Sequence, residues 1–191
     1  TGSGKTLVYF ERIKKIISKK KQALVLLPEI FLTNGFKSRF EDFFGFEPAI
    51  WHSKVTPKQK RIIWKGIIKN EIKIIVGARS ALLLPFKKLG IIVVDEEHDA
   101  SYKQDEGVIY NARDMAISRA SFEKIPVHLV SSVPSIETYN NILKKKYRHV
   151  KILKRFKDYP LPNTKLVNLN IEKLKNKYIA KETLEFVKEY L

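Results

Sequence analysis

At 191 residues, with 44% hydrophobic and 11% aromatic content, the chain has the apolar mass of one folded domain plus a fragment of another, which excludes a disordered tail or a mini-protein. Its 37 Lys and Arg against 20 Asp and Glu give a formal charge of +17, so the expected partner is a polyanion: nucleic acid first, with ribosomal association or an anionic membrane surface as other sources of the same sign. Lack of Cys excludes disulfides and thiolate metal sites, the four His lack metal-ligand spacing, and no apolar run approaches the roughly 20 residues of a membrane span.

The chain opens on Thr1-Gly2-Ser3-Gly4-Lys5-Thr6. Gly4, Lys5 and Thr6 fill the last three places of the phosphate-loop pattern G-x-x-x-x-G-K-[ST]; its first two places would precede Thr1, so the chain is expected to begin inside the loop. In such a loop glycines turn backbone N–H groups around phosphate oxygens and the following helix adds the positive end of its dipole. The Lys neutralises β and γ charge, and the hydroxyl ligates Mg2+. Gly2, Ser3, Gly4, Lys5 and Thr6 are therefore the candidate nucleotide-binding residues, with ATP and Mg2+ as expected cofactors.

Leu7, Tyr9, Phe10, Ile13, Ile16 and Ile17 then repeat with a helical period up to the polar run Ser18 to Lys21. Apolar runs at Ala23 to Leu27, Ile72 to Val76, Ile91 to Val94 and Val127 to Val130 predict mostly buried strands, and Ala49 to Trp51 a further one. Helical patterns lie between them at about Ile30 to Phe44, Pro57 to Lys69 and Ala112 to Glu123, with Thr56 suited to an N-cap and Pro57 to a first turn. Another helix is expected from Ser135 to about Lys146. Strands alternating with helices predict an α/β fold with a doubly wound, mostly parallel sheet.

After Val150 to Leu153, the run Tyr159-Pro160-Leu161-Pro162-Asn163 breaks the pattern as a linker, so the first domain is expected to span residues 1–156. Residues 157–191 then hold the linker and the start of a second domain, with a strand at Lys165 to Leu169 and a helix at Thr183 to Leu191.

Ile91-Ile92-Val93-Val94 runs straight into Asp95-Glu96-Glu97-His98. A buried strand ending in three carboxylates is a costly place for charge unless a cation or a reaction needs it, and a metal-bound nucleotide supplies that need. Asp95 is the expected Mg2+ partner together with Thr6, and Glu96 the group that orients and deprotonates an attacking water. Lys5, Asp95 and Glu96 thus form the candidate catalytic set. Glu97 by itself reads as a solvated residue of the turn.

Tyr102, Lys103, Gln104, Tyr110 and Arg113 follow in a polar, Gly107-containing stretch without a clean period, hence a loop. Rings that stack bases and cations that meet phosphates make Tyr102, Lys103, Tyr110 and Arg113 candidate DNA contacts. Arg79 and Ser80 follow a predicted strand, as do Pro28 to Thr33, and the loops at one edge of a parallel sheet share a ligand surface. For Arg79 a surface ion pair is the rival reading. His98 beside the box is placed to hydrogen-bond the Ser131 to Ser135 segment, which makes His98 and Ser131 candidates for coupling hydrolysis to movement. His52, Trp51 and Trp64 read as structural.

Asp95-Glu96-Glu97-His98 resembles the Asp-Glu-x-His box of superfamily-2 helicases. The runs Val76 to Ala81, Asp95 to Asp99 and Ser101-Tyr102-Lys103-Gln104 resemble the PriA family of replication-restart helicases more narrowly. So do Pro28-Glu29-Ile30 with Leu32-Thr33, Trp51-His52-Ser53, Tyr110 to Asp114, and Ser131-Ser132-Val133-Pro134-Ser135. The family usually has Ser-Ala-Thr-Pro-Ser in the last of these, so Ser132 and Val133 replace its Ala and Thr.

That resemblance implies the first RecA-like P-loop NTPase lobe of an ATP-dependent helicase. It implies 3′ to 5′ movement on single-stranded DNA, opening of forked DNA and assembly of a primosome with replication-restart proteins, in the bacterial cytoplasm at the nucleoid and not in a membrane. It also implies that the second lobe, a zinc-binding insertion and an arginine finger lie outside residues 1–191, so these residues alone should not hydrolyse ATP. Another superfamily-2 DNA translocase and a non-hydrolysing DNA-binding primosome scaffold are the alternatives; intact Lys5, Thr6, Asp95 and Glu96 argue against the scaffold, which has no chemical need of them.

Overall fold

The computed structural model describes residues 4–153, 164–169, 174–176 and 179–190. Two compact units divide the chain, Thr1–Phe156 and Lys157–Leu191. In chain order the larger contains α1 (Lys5–Ile17), β1 (Gln22–Leu26), α2 (Asn34–Phe44), β2 (Ala49–Trp51), α3 (Pro57–Ile68), β3 (Ile74–Gly77) and β4 (Leu89–Asp95). β5 (Lys103–Gln104), β6 (Tyr110–Asn111), α4 (Ala112–Phe122), β7 (Val127–Val130) and α5 (Ile136–Leu143) follow. Five strands form one sheet in the order β2-β3-β1-β4-β7, every neighbouring pair parallel.

The central strands look uniformly apolar because both faces are covered, yet their residues still divide with a period of two. Ala23, Val25, Ile74, Val76, Ile91 and Val93 face α1 and α2, which contribute Tyr9, Phe10, Ile13, Phe36 and Phe40. Leu24, Leu26, Ile75, Ile92 and Val94 face the other way, onto Ile67 of α3 and Ala112, Ala116 and Ala120 of α4. Helices on both faces make the sheet doubly wound. On the first face the Phe10 ring centroid lies 5.1–6.0 Å from those of Phe36, Phe40, Phe43 and Phe44, fixing α2 against α1. Each such ring buried contributes about 1.5–3 kcal/mol.

Local chemistry sets the element ends. The helix expected from Ile30 begins only at Asn34: residues Glu29–Phe31 form a 3-10 turn after Pro28, and Thr33 Oγ1 accepts the Phe36 N–H at 3.3 Å as the N-cap. At α3 the Thr56 cap gains a partner in Gln59, whose backbone N–H donates to Thr56 Oγ1 at 3.3 Å while its own side chain accepts from the Thr56 N–H. Val150 to Leu153 forms no strand and is exposed.

In the smaller unit β8 (Leu174–Asn176) pairs antiparallel with β9 (Ile179–Ala180), which leads into α6 (Lys181–Tyr190). The strand expected at Lys165 to Leu169 is absent. Lys165 instead pairs with Glu182 and places its ammonium 4.9 Å from the Phe186 ring centroid, so side chains of α6 engage the segment in place of a ladder. The linker at residues 159–163, the end of the first domain near Phe156, and Gly2 and Ser3 lie outside the described residues.

Candidate active site

Parallel registers bring four segments to one edge of the sheet. Leu26 pairs with Gly77 and with Val94, and Asp95 with Val130, so the chain leaves β1, β3, β4 and β7 on the same side. The exit from β3 requires glycine: a Cβ on Gly77 would collide with the Trp51 carbonyl and come within 2.7 Å of Ala81 Cβ. At this edge a cleft of about 630 Å³ is lined by Gly4, Lys5 and Thr6 from the start of α1, by Asp95 and Glu96 from the end of β4, and by Phe31, Arg39, Asp42 and Phe43 after β1. Gly4 adopts the left-handed region at φ 80°, and no side chain caps the helix that follows. First-turn N–H groups, a cation, a hydroxyl and two carboxylates around one cleft are the donor set for a metal-bound polyphosphate.

Asp95 is held on every side. Tyr9 on α1 donates its hydroxyl proton to Oδ2 at 2.9 Å, and the Glu96 backbone N–H donates to Oδ1 at 3.0 Å. Tyr102 shares its proton between the Asp95 carbonyl at 2.6 Å and the Leu26 carbonyl at 2.9 Å. Burial raises the Asp95 pKa, and Glu96 adds to that; the bonds from Tyr9 and Glu96 and the Lys5 charge only partly oppose it. A carboxyl with a raised folded pKa holds its proton better when folded, so stability falls as pH rises through that interval, and ionised Asp95 is a cost that a cation in the cleft would offset. Burial, and then the Asp95 charge, push both tyrosines far above the usual range, which keeps them as proton donors. Glu96 itself sits at φ 49°, in the left-handed region, at a cost of about 1–2 kcal/mol. Its side chain is only 16% exposed.

Glu97 is the largest correction to the sequence reading. It is 2% exposed, not solvated. Its Oε1 accepts the Ser135 N–H at 2.8 Å, and its Oε2 accepts from Ser135 Oγ and Thr138 Oγ1 at 3.0 Å each and from Arg113 Nη1 at 3.4 Å. Ser135 caps α5, so Glu97 ties the acidic box to that helix and to α4.

His98 Nδ1 lies 2.7 Å from Ser131 Oγ and 3.6 Å from Glu96 Oε2. Ser131 donates its one proton to the Val133 carbonyl at 2.6 Å, so Oγ must accept from His98, which places a proton on Nδ1. Val133 stands where a Thr is usual, but its hydroxyl is not needed for this turn, because the Val133 backbone supplies both an acceptor and a donor to Ser131.

The family model for DEAD/DEAH box helicases matches residues 1–142. The chain belongs to the DEAD/DEAH box helicase family. It is 51% identical to the replication restart protein PriA of Rickettsia conorii over 98% of its own length and 29% of that protein's. Against the replication restart protein PriA of Bacillus subtilis the identity is 41%, over 92% of this chain and 22% of the relative. The chain thus spans under a third of these relatives. Among solved structures, the helicase MrfA bound to DNA and AMPPNP matches with a TM-score of 0.53 and 18% identity over 76% of this chain and 22% of that one. RecG bound to a three-way DNA junction matches with a TM-score of 0.50 and 21% identity over 73% and 18%. With these neighbours and the five-stranded parallel sheet, the fold of the helicase domain is RecA-like.

Two of the residues expected to contact DNA are corrected. Tyr102 is 1% exposed, packed in the core with its hydroxyl bonded, and cannot offer a face to a base. Arg113 is 7% exposed, and its guanidinium is taken by Glu97, by Asp114 at 2.8 Å and by Ser135 Oγ at 2.7 Å. Burial disfavours its charge, yet the carboxylates of Asp114, Glu97 and Glu137 outweigh that and raise the pKa. The stretch between them is a short hairpin rather than a loop, with β5 and β6 antiparallel. Lys103 and Ser80 are exposed and Arg79 and Tyr110 half-buried, Tyr110 with its ring packed against the core. Arg79 Nη1 donates to the Lys103 carbonyl at 2.5 Å, joining the exit of β3 to the hairpin. His52 accepts from the Lys54 N–H at 3.2 Å in a turn, and the Trp51 and Trp64 ring centroids lie 6.4 Å apart. Sequence reasoning missed Phe31, in the 3-10 turn before α2, and Arg39, Asp42 and Phe43, which follow an ordinary amphipathic spacing on α2. No helix among the described residues is long and apolar enough to cross a membrane.

Proposed function

We propose that residues 1–156 are the first motor lobe of an ATP-hydrolysing DNA helicase of replication restart, moving 3′ to 5′ on single-stranded DNA, and that residues 157–191 are the linker and the start of the second lobe. Its partners are forked DNA and primosome proteins, and it acts in the bacterial cytoplasm at the nucleoid. The observation that carries the reading is the single cleft lined by Gly4, Lys5 and Thr6 on one side and Asp95 and Glu96 on the other. The replication-restart name shared by the similar proteins supports the biology.

Lys5 and the uncapped N–H groups of α1 bind the phosphates, with Gly2 and Ser3 before them in the loop. Thr6 and Asp95 would hold Mg2+. Among the described residues no three His, Cys, Asp or Glu converge on one point, which suits a metal shared with phosphate and water. Bound Mg2+ neutralises phosphate charge. The Glu96 carboxylate accepts the proton of the attacking water, since only the backbone N–H of Glu96 is engaged with Asp95. Arg79, Ser80 and Lys103, with the open part of Tyr110, grip DNA, while Tyr102 and Arg113 anchor the hairpin that carries Lys103.

Directional unwinding tests this reading: the full-length protein should open forks whose single-stranded arm is loaded for 3′ to 5′ travel and leave the opposite polarity closed. Equal opening of both, or neither with ATP hydrolysis intact, contradicts it. Two variants probe the parts. Tyr9→Phe removes the proton on Asp95 Oδ2 and should raise severalfold the Mg2+ concentration for half-maximal hydrolysis in a metal titration. His98→Ala should cut DNA stimulation of hydrolysis by roughly fivefold or more while leaving the DNA-free rate nearly unchanged; stimulation at the parental level would remove His98 from coupling.

A further inference from the structure

The nucleotide cleft contains a second cation that no motif announces. Arg39, on α2, lines it together with Lys5, Thr6, Asp95 and Glu96. Its Nε donates to the Gly35 carbonyl at 3.0 Å, one turn back, which lays the stem along the helix. Among the described residues no hydrogen bond or ion pair engages its two terminal nitrogens, although Asp42, Asp95 and Glu96 line the same cleft. A guanidinium left unpaired among carboxylates, with both terminal nitrogens available, is a preorganised fork for an anion.

Its place along the cleft says which anion. The loop backbone serves the inner phosphates, whereas Glu96, which serves the attacking water, marks the far end. Arg39 lines the same cleft as Thr6, Asp95 and Glu96, the groups at that far end. Packing of Phe36, Phe40, Phe43 and Phe44 around Phe10 holds α2, and hence Arg39, in fixed relation to the phosphate-binding end of α1.

We propose that Arg39 contacts the terminal phosphate of the nucleotide from within this lobe, so that the lobe itself distinguishes ATP from ADP; this rests on the ATP reading of the cleft. Because α2 is capped by Thr33, at the end of the Pro28 to Thr33 segment on the DNA side, holding that phosphate also loads the segment that leads to DNA.

The test is the affinity of the full-length protein for ADP and for a non-hydrolysable ATP analogue, in the parent, Arg39→Gln, Arg39→Lys and Lys5→Ala. Arg39 is exposed, so its variants are expected to fold. Arg39→Gln should weaken the analogue about tenfold and leave ADP within about twofold, with Arg39→Lys in between. Equal losses for both nucleotides, or none for either while Lys5→Ala abolishes binding, overturn the role of Arg39 alone. Weakened binding of single-stranded DNA in the absence of nucleotide, with discrimination intact, overturns it in favour of a DNA contact. Unchanged binding of both nucleotides by Lys5→Ala overturns the ATP reading itself.

Discussion

Glu97→Ala is expected to destabilise the domain by about 3–5 kcal/mol. The change strips one buried acceptor group from Ser135, Thr138 and Arg113 at once, leaving a guanidinium with its nearest buried partner gone. Arg113 keeps Asp114 at 2.8 Å and Glu137 at 3.6 Å, both largely exposed, which places the loss at the lower end of that range. Chemical denaturation of Glu97→Ala, Arg113→Ala and the double variant measures it. Coupling of about 2 kcal/mol or more between the two positions is expected. A loss under about 1 kcal/mol with no coupling would return Glu97 to the role of a solvated turn residue.

Glu96→Gln is expected to lower ATP hydrolysis about 100- to 10,000-fold while leaving nucleotide and DNA affinity close to the parent's. Gln matches Glu in size and keeps the φ 49° backbone, so the strain at the position is unchanged and the loss isolates the proton acceptor. Steady-state hydrolysis beside equilibrium binding separates the two effects. Hydrolysis near the parental rate would mean that another group accepts the proton.

The sheet was legible because buried parallel strands are short apolar runs: Ala49–Trp51 and Val127–Val130 fall where expected, and the others differ by only a few residues at their ends. The acidic box was legible for the opposite reason, since charge at the end of such a run demands an explanation. Hairpin strands of two residues each, β5 and β6, are too short to show a period. Tyr102 and Lys103 are neighbours in sequence, yet one is core and the other surface, and only the fold decides which. Glu97 was misread because its partners Ser135 and Thr138 lie 38 and 41 residues away. Arg39 hid on a helix whose Phe36, Phe40, Phe43 and Phe44 spacing announces packing and nothing else. At Lys165 to Leu169, alternation without a neighbouring strand gave no ladder.

The most direct test of the central claim is ATP hydrolysis by the full-length protein with and without single-stranded DNA. Strong stimulation by DNA, lost in Glu96→Gln, is the predicted result. Hydrolysis at the same rate with and without DNA would contradict a motor whose ATP hydrolysis is coupled to DNA.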